Sequence, residues 1–221
     1  MKAFLSQHAD MDFMSSFIHS QLFVTPALPT TSLTGQTYIV TGASAGLGLE
    51  AARHLVGLNA ARVILAVRNP EKGAAARKSI EQSTGRSGVA EVWSLDLASY
   101  ESVKQFAARV SRELERVDGL LENAAVLFSS GFRKAEGMEE SVTVNVISTF
   151  LLALLLLPKL RETAARFNVT PRLTIVASEM HFVASLKGHL DGNTFASLND
   201  ESKANMSQRY VYIRQESQFH N

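Results

Sequence analysis

Apolar, β-branched runs alternate along this chain with longer stretches whose apolar residues recur at helical spacing. Five runs read as buried strands: Thr37–Thr41, Arg62–Val67, Glu91–Leu95, Gly119–Glu122 and Leu173–Ala177. Between them, helices are predicted to begin near Gly46, Pro70, Tyr100 and Ser141. Strands that alternate with helices predict a parallel sheet covered on both faces. The helix at Pro70 has its own start signal, because Asn69 can cap it and proline at the first helical position loses no hydrogen bond. In the helix at Tyr100, Val103, Phe106, Ala107, Val110, Leu114 and Val117 form a core-facing stripe. The run from Phe150 to Leu157 reads as a buried helix that ends at Pro158 and is too short to cross a bilayer.

Upstream of the first strand the pattern weakens. Phe4, Leu5, Met11, Met14, Phe17, Ile18 and Leu22 fall loosely on one helical face. They predict a peripheral helix docked on the domain or on a second subunit; a membrane-surface helix would want a basic polar face, which this stretch lacks. Residues 25–35 form an irregular lead-in. The chain thus divides into a peripheral segment, 1–34, and one domain, 35–221. Its 221 residues are enough for a substantial core.

Composition narrows the function classes. The net charge is +1, from 22 basic and 21 acidic side chains, which argues for neither a nucleic acid nor an anionic membrane as partner. Cysteine is absent, so there is no disulfide framework and no thiolate chemistry, and a cytoplasmic location is expected. Asp10 and Asp12 break up the N-terminus, so no secretory signal is read there. The six histidines show no metal-ligand spacing, and no G-x-S-x-G elbow supports a hydrolase. His181 follows Ser178 by three residues and reads as loop decoration rather than as a catalytic base.

The chemistry begins at Thr41-Gly42-Ala43-Ser44-Ala45-Gly46-Leu47-Gly48, directly after the first strand and at the start of a helix. That arrangement aims free backbone N–H groups and the helix dipole at a pyrophosphate. Gly42 is expected to permit the tight turn, Gly46 to let the backbone approach the phosphates, and Gly48 to bring the helix close to the strand. Ser44 and Leu47 lie within the same cradle. The second strand ends at Val67-Arg68-Asn69 with no acid to hold ribose hydroxyls. Arg68 there, with Lys72 one helical turn on, favours the 2′-phosphate of NADP over NAD.

Asp96-Leu97 after the third strand, Asn123-Ala124-Ala125 after the fourth and Asn145 within the following helix complete a pattern. With Thr41–Gly48 it resembles the short-chain dehydrogenase/reductase family from about residue 35 to residue 210, most of all its retinol-dehydrogenase-like fungal members. The resemblance implies a Rossmann-type α/β fold, doubly wound, with a parallel sheet and helices on both faces. It implies that Asp96 contacts the adenine, Asn123 holds the cofactor-side loop and Asn145 organises a proton-relay water. Ser178, at the end of the fifth strand, would polarise a substrate carbonyl oxygen. Tyr210 would be the acid or base and would also touch the cofactor. The implied activity is NADP-dependent interconversion of a carbonyl and an alcohol, in secondary-metabolite biosynthesis, on a small-molecule substrate.

The chain departs from the family in two places. Four residues after Tyr210 stands Arg214 where the family has lysine, and arginine lacks the compact ammonium. Few residues follow, so the chain reads as C-terminally truncated: its last sheet strands are expected to be missing, with the fifth strand left as an edge. The alternative is a truncated, catalytically impaired nucleotide-binding member. A full-length form leaves a homo-oligomer open, and a methyltransferase reading leaves Asn123, Asn145 and Ser178 without roles.

Overall fold

A computed structural model describes residues 18–20, 22–25, 27–126, 131–177 and 193–203. The first strand, β1 (Thr37–Thr41), leads through the glycine turn into α1 (Gly46–Gly57). There follow β2 (Arg62–Val67), α2 (Pro70–Thr84), β3 (Ala90–Ser94), α3 (Tyr100–Glu113) and β4 (Gly119–Glu122). A small hairpin, β5 (Lys134–Ala135) and β6 (Met138–Glu139), precedes the long helix α4 (Glu140–Phe167). The last elements are β7 (Arg172–Ile175) and the short α5 (Thr194–Leu198).

The main sheet is parallel, in the order β3-β2-β1-β4-β7. Its helices divide between the faces as alternate side chains dictate. Val40, Val63, Leu65 and Val67 pack on Ala52 and Val56 of α1 and on Ala76 and Ile80 of α2. Ile39, Ile64, Trp93 and Leu120 pack on Val103, Phe106 and Val110 of α3 and on Leu152, Leu156 and Leu160 of α4. Strands buried on both faces need continuous apolar runs, which is why they were legible in the sequence. The strand limits agree to within two residues. As expected, β7 is an edge of the described sheet, and Leu173 on it is exposed.

The caps also follow expectation. Asn69 Oδ1 accepts the Lys72 N–H at 2.9 Å, with Pro70 opening α2. The whole predicted stripe of α3, continuing to Leu114 and Val117, is buried.

Two expectations are corrected. The apolar run does not end at Pro158: α4 passes through it to Phe167. Proline removes the N–H that would bond the carbonyl of residue 154, but Leu154, Leu155 and Pro158 lie on the exposed side, where water can serve that carbonyl. For the same reason the run is only partly buried, with Leu154 63% exposed. By length and composition this helix could cross a membrane, yet Leu152, Leu156, Lys159 and Leu160 are buried as it packs on α3 and the sheet. The second correction concerns the N-terminal helix. Residues 18–20 and 22–23 are helical, but Ile18 and Leu22 are exposed, so the domain does not cover them, and the expectation of docking on a second subunit is untouched. Phe4, Leu5, Met11, Met14 and Phe17 lie outside the described residues.

The hairpin was not foreseen. Glu136 and Gly137 both have positive φ, the backbone of a two-residue turn that matches strand twist. The Glu136 carboxylate accepts the Tyr100 N–H at 2.9 Å and so tethers the hairpin to the start of α3. Leu198 of α5 packs against Val142 at the start of α4, beside Met138.

Candidate nucleotide-binding site

Strand order reverses between β2 and β4 on either side of β1, and a crevice opens there at the carboxyl ends of the strands. A cleft of about 410 Å³ occupies that position. Gly42, Ser44, Arg68, Lys72, Asp96 and Asn123 all line it, joined by Ala45, Asn69 and Val126. Six residues predicted from separate stretches of sequence thus converge on one cavity. Ser178 and Tyr210 lie outside the described residues, as do His181, Arg214 and most of the segment between Ser178 and Tyr210.

Gly42 and Gly48 are required by close approach. Gly42 has φ +67°, and a Cβ there would lie 2.9 Å from Ala124 Cα. Gly48 begins packing against the turn, where a Cβ would meet the Gly42 carbonyl oxygen at 2.6 Å and Asn123 Nδ2 at 2.5 Å. Gly46 turns the chain with φ +58° in open space, and Leu47 is 77% exposed. The start of α1 differs from those of α2 and α3. Its N-cap, Ala45, supplies no side-chain bond and no acid stands in the first turn, whereas Asn69 with Glu71 and Ser99 with Glu101 serve the other two. The first turn of α1 therefore keeps N–H groups and positive dipole for an anion.

Arg68 and Lys72 are exposed at the rim and, among the described residues, form no ion pair. Asp96 Oδ1 accepts the Ala98 N–H at 2.9 Å, and the Asp96 N–H donates to Ser102 Oγ at 2.9 Å, fixing the turn after β3.

The segment leaving β4 is tied down at both ends. Thr41 Oγ1 accepts the N–H groups of Asn123 and Ala124, each at 3.0 Å. Asn123 Nδ2 returns a bond to the Thr41 carbonyl at 3.1 Å. Asn145 closes the other end, its Oδ1 accepting from Val126 N and its Nδ2 donating to Val126 O, both at 2.9 Å. Asn145 is buried in a π-helical stretch, Thr143–Ser148, a widened turn often met at functional sites. Its side chain is thus spent on the cleft wall rather than standing free.

Sequence reasoning missed Thr41 as a latch and Glu122 as a buried acid. Glu122 ends β4 with both carboxylate oxygens unpartnered among the described residues, and burial pushes its pKa up to about 9. An acid inside an otherwise apolar strand was the available signal. Thr41→Val is expected to cost about 2 kcal/mol, since it leaves two N–H groups without an acceptor. Urea unfolding of the two chains measures it, and a difference near zero would mean the latch carries no energy.

Comparison with known proteins gives the family of the chain. The sequence model described as short chain dehydrogenase matches residues 36–168. The chain is 48% identical over 195 residues to the short-chain dehydrogenase anuD of Penicillium roqueforti, covering 88% of this chain and 50% of that protein. It is 48% identical over 191 residues to the short chain dehydrogenase/reductase dmxR8 of a Cryptosporiopsis species, covering 85% and 59%. Among solved structures it is similar to a short chain dehydrogenase of Escherichia coli CFT073 complexed with NADPH. There the TM-score is 0.57 and the identity 27%, over 85% of this chain and 70% of that one. This chain belongs to the short-chain dehydrogenase/reductase family, with the Rossmann-like fold of that family. It spans about half the length of the first fungal relative and 59% of the second.

Proposed function

We propose that the cleft binds NADP(H) and that the protein interconverts a carbonyl and an alcohol. The observation that carries this reading is the convergence of Arg68 and Lys72 on a cleft whose floor is the uncapped start of α1. The residues fit the group: the glycine turn admits a pyrophosphate, and the two cations suit a 2′-phosphate. Asp96 stands on the same wall for the adenine end. The similar E. coli protein complexed with NADPH supports the choice of cofactor.

The bound nicotinamide would supply or accept hydride at the substrate carbon. The chain's own residues then have three tasks. Ser178 donates a hydrogen bond to the substrate oxygen as charge develops there. Tyr210 moves the proton at that oxygen. Asn145 holds the wall through Val126 and, in the family's manner, orders the water that returns the proton. A small-molecule substrate and a place in secondary-metabolite biosynthesis are what the resemblance to fungal enzymes of that kind implies, and the cysteine-free composition suits a cytoplasmic location.

Calorimetric titration with NADPH and NADH tests the cofactor reading. NADPH is expected to bind more tightly, and Arg68→Ala to reduce that preference about tenfold, the loss of one charge-assisted contact. An equal preference in both chains would overturn it. One observation favours a second reading, nucleotide binding without turnover: Arg214 stands where the family lysine is expected. NADPH consumption with a panel of ketones and aldehydes separates the two.

A further inference from the structure

Glu122 takes no part in the chemistry above, yet it directly precedes the cleft-lining Asn123 and Ala124. By strand alternation it projects to the face of Leu120, which packs on Val144, Leu152 and Leu156 of α4. Only 3% of it is exposed, and among the described residues neither oxygen has a partner. The Ser148 hydroxyl of α4 is also buried and unpartnered.

Among the described residues, no charge answers the carboxyl from the elements around it. On β1, Tyr38 belongs to the opposite face. On β7, Arg172 lies at the far end, three residues before Ile175, the register partner of Glu122. On α4, Lys159 is held by Glu162 at 3.0 Å, Arg166 by Glu115 at 2.8 Å and Glu140 by Arg133 at 3.2 Å. Glu139, at the start of α4, is occupied by the Ser141 and Val142 N–H groups. On α3, Arg109 pairs with Glu113. Burial alone moves the Glu122 pKa.

A charged carboxylate is not tolerated in such a space without a partner, so ionisation must drive the side chain out. The next two backbone N–H groups along the chain are the ones that Thr41 Oγ1 accepts. We propose that Glu122 is a positioning residue for the cleft: its uncharged side chain fills the buried space under the wall and keeps Asn123 and Ala124 latched on Thr41, and charging it releases the latch. The consequence for cofactor binding rests on the nucleotide reading of the cleft; the latch itself does not.

Two measurements on the 221-residue chain and on Glu122→Gln separate those levels. NADPH affinity should weaken about fourfold between roughly pH 7 and pH 9.5 in the parent chain, as the binding-competent fraction falls, and stay constant in Glu122→Gln. Pulse-labelled hydrogen exchange at the Asn123 and Ala124 amides, corrected for intrinsic rates, should lose protection over the same range in the parent chain only. Profiles that coincide in the two chains overturn the proposal. If NADPH binds neither chain, the nucleotide reading fails, and the exchange profile alone decides the latch.

Discussion

Gly42→Ala is expected to destabilise the fold by about 2–5 kcal/mol and to lower Tm by about 10 °C. Two costs add at this position. The backbone is left-handed there, at φ +67°, which costs an L side chain about 1–2 kcal/mol. The new methyl would also lie 2.9 Å from Ala124 Cα and 3.1 Å from its Cβ. Ala124 cannot retreat freely, because its N–H and that of Asn123 are fixed on Thr41 Oγ1. Relief of the clash therefore breaks the latch. Gly46→Ala is the matched control, since Gly46 shares the positive φ but faces open space. It should lose only the conformational part, about 1–2 kcal/mol. Thermal melts followed by circular dichroism compare the three chains. If both alanine variants melt together, the close approach to Ala124 carries no energy.

That geometry explains what could be read in the sequence and what could not. The inner strands β1, β2 and β4 were visible because they are buried on two faces and are largely apolar. The start of α2 was visible because Asn69 and Pro70 act on their own helix. Convergence on the cleft was visible because each contributing residue sits where a strand ends, and a parallel sheet gathers those ends on one side. What stayed hidden depends on partners far along the chain. Thr41 and Asn123 are 82 residues apart, and nothing local to Thr41 marks it as an acceptor for that loop. The bond from Asn145 to Val126 is of the same kind, so the local pattern gave no sign of where its amide is spent. The hairpin at Lys134–Glu139 has two-residue strands, too short for any alternation to register. Pro158 misled for a different reason. A proline ends a helix only where the orphaned carbonyl cannot be served, and here it faces outward. Ile18 and Leu22 form an apolar face that the domain does not cover, because a periodic pattern specifies a face but no partner.

Glu122→Gln is expected to stabilise the chain at neutral and alkaline pH and to do nothing at low pH. The direction follows from which state holds the proton. Unfolded, Glu122 ionises near its ordinary value of 4.5; folded, it keeps its proton to about 9. Below the lower value both states are protonated, and the group contributes no pH dependence. Between the two values the unfolded chain gives up a proton that the folded chain retains, so unfolding becomes easier with each unit of rising pH. Above the upper value the penalty is constant. At pH 7 the parent chain should thus carry a deficit of about 3 kcal/mol that the amide variant lacks. Glutamine has nearly the shape of the neutral acid, so packing against α4 is preserved and the difference isolates ionisation. Urea unfolding, followed by the fluorescence of Trp93, supplies the measurement at several pH values. The two chains should unfold together near pH 4.5 and diverge steadily toward pH 9. A constant offset would mean that the substitution changed packing. Coincident curves throughout would mean that Glu122 finds a partner once charged, and its burial beneath Asn123 would lose its role.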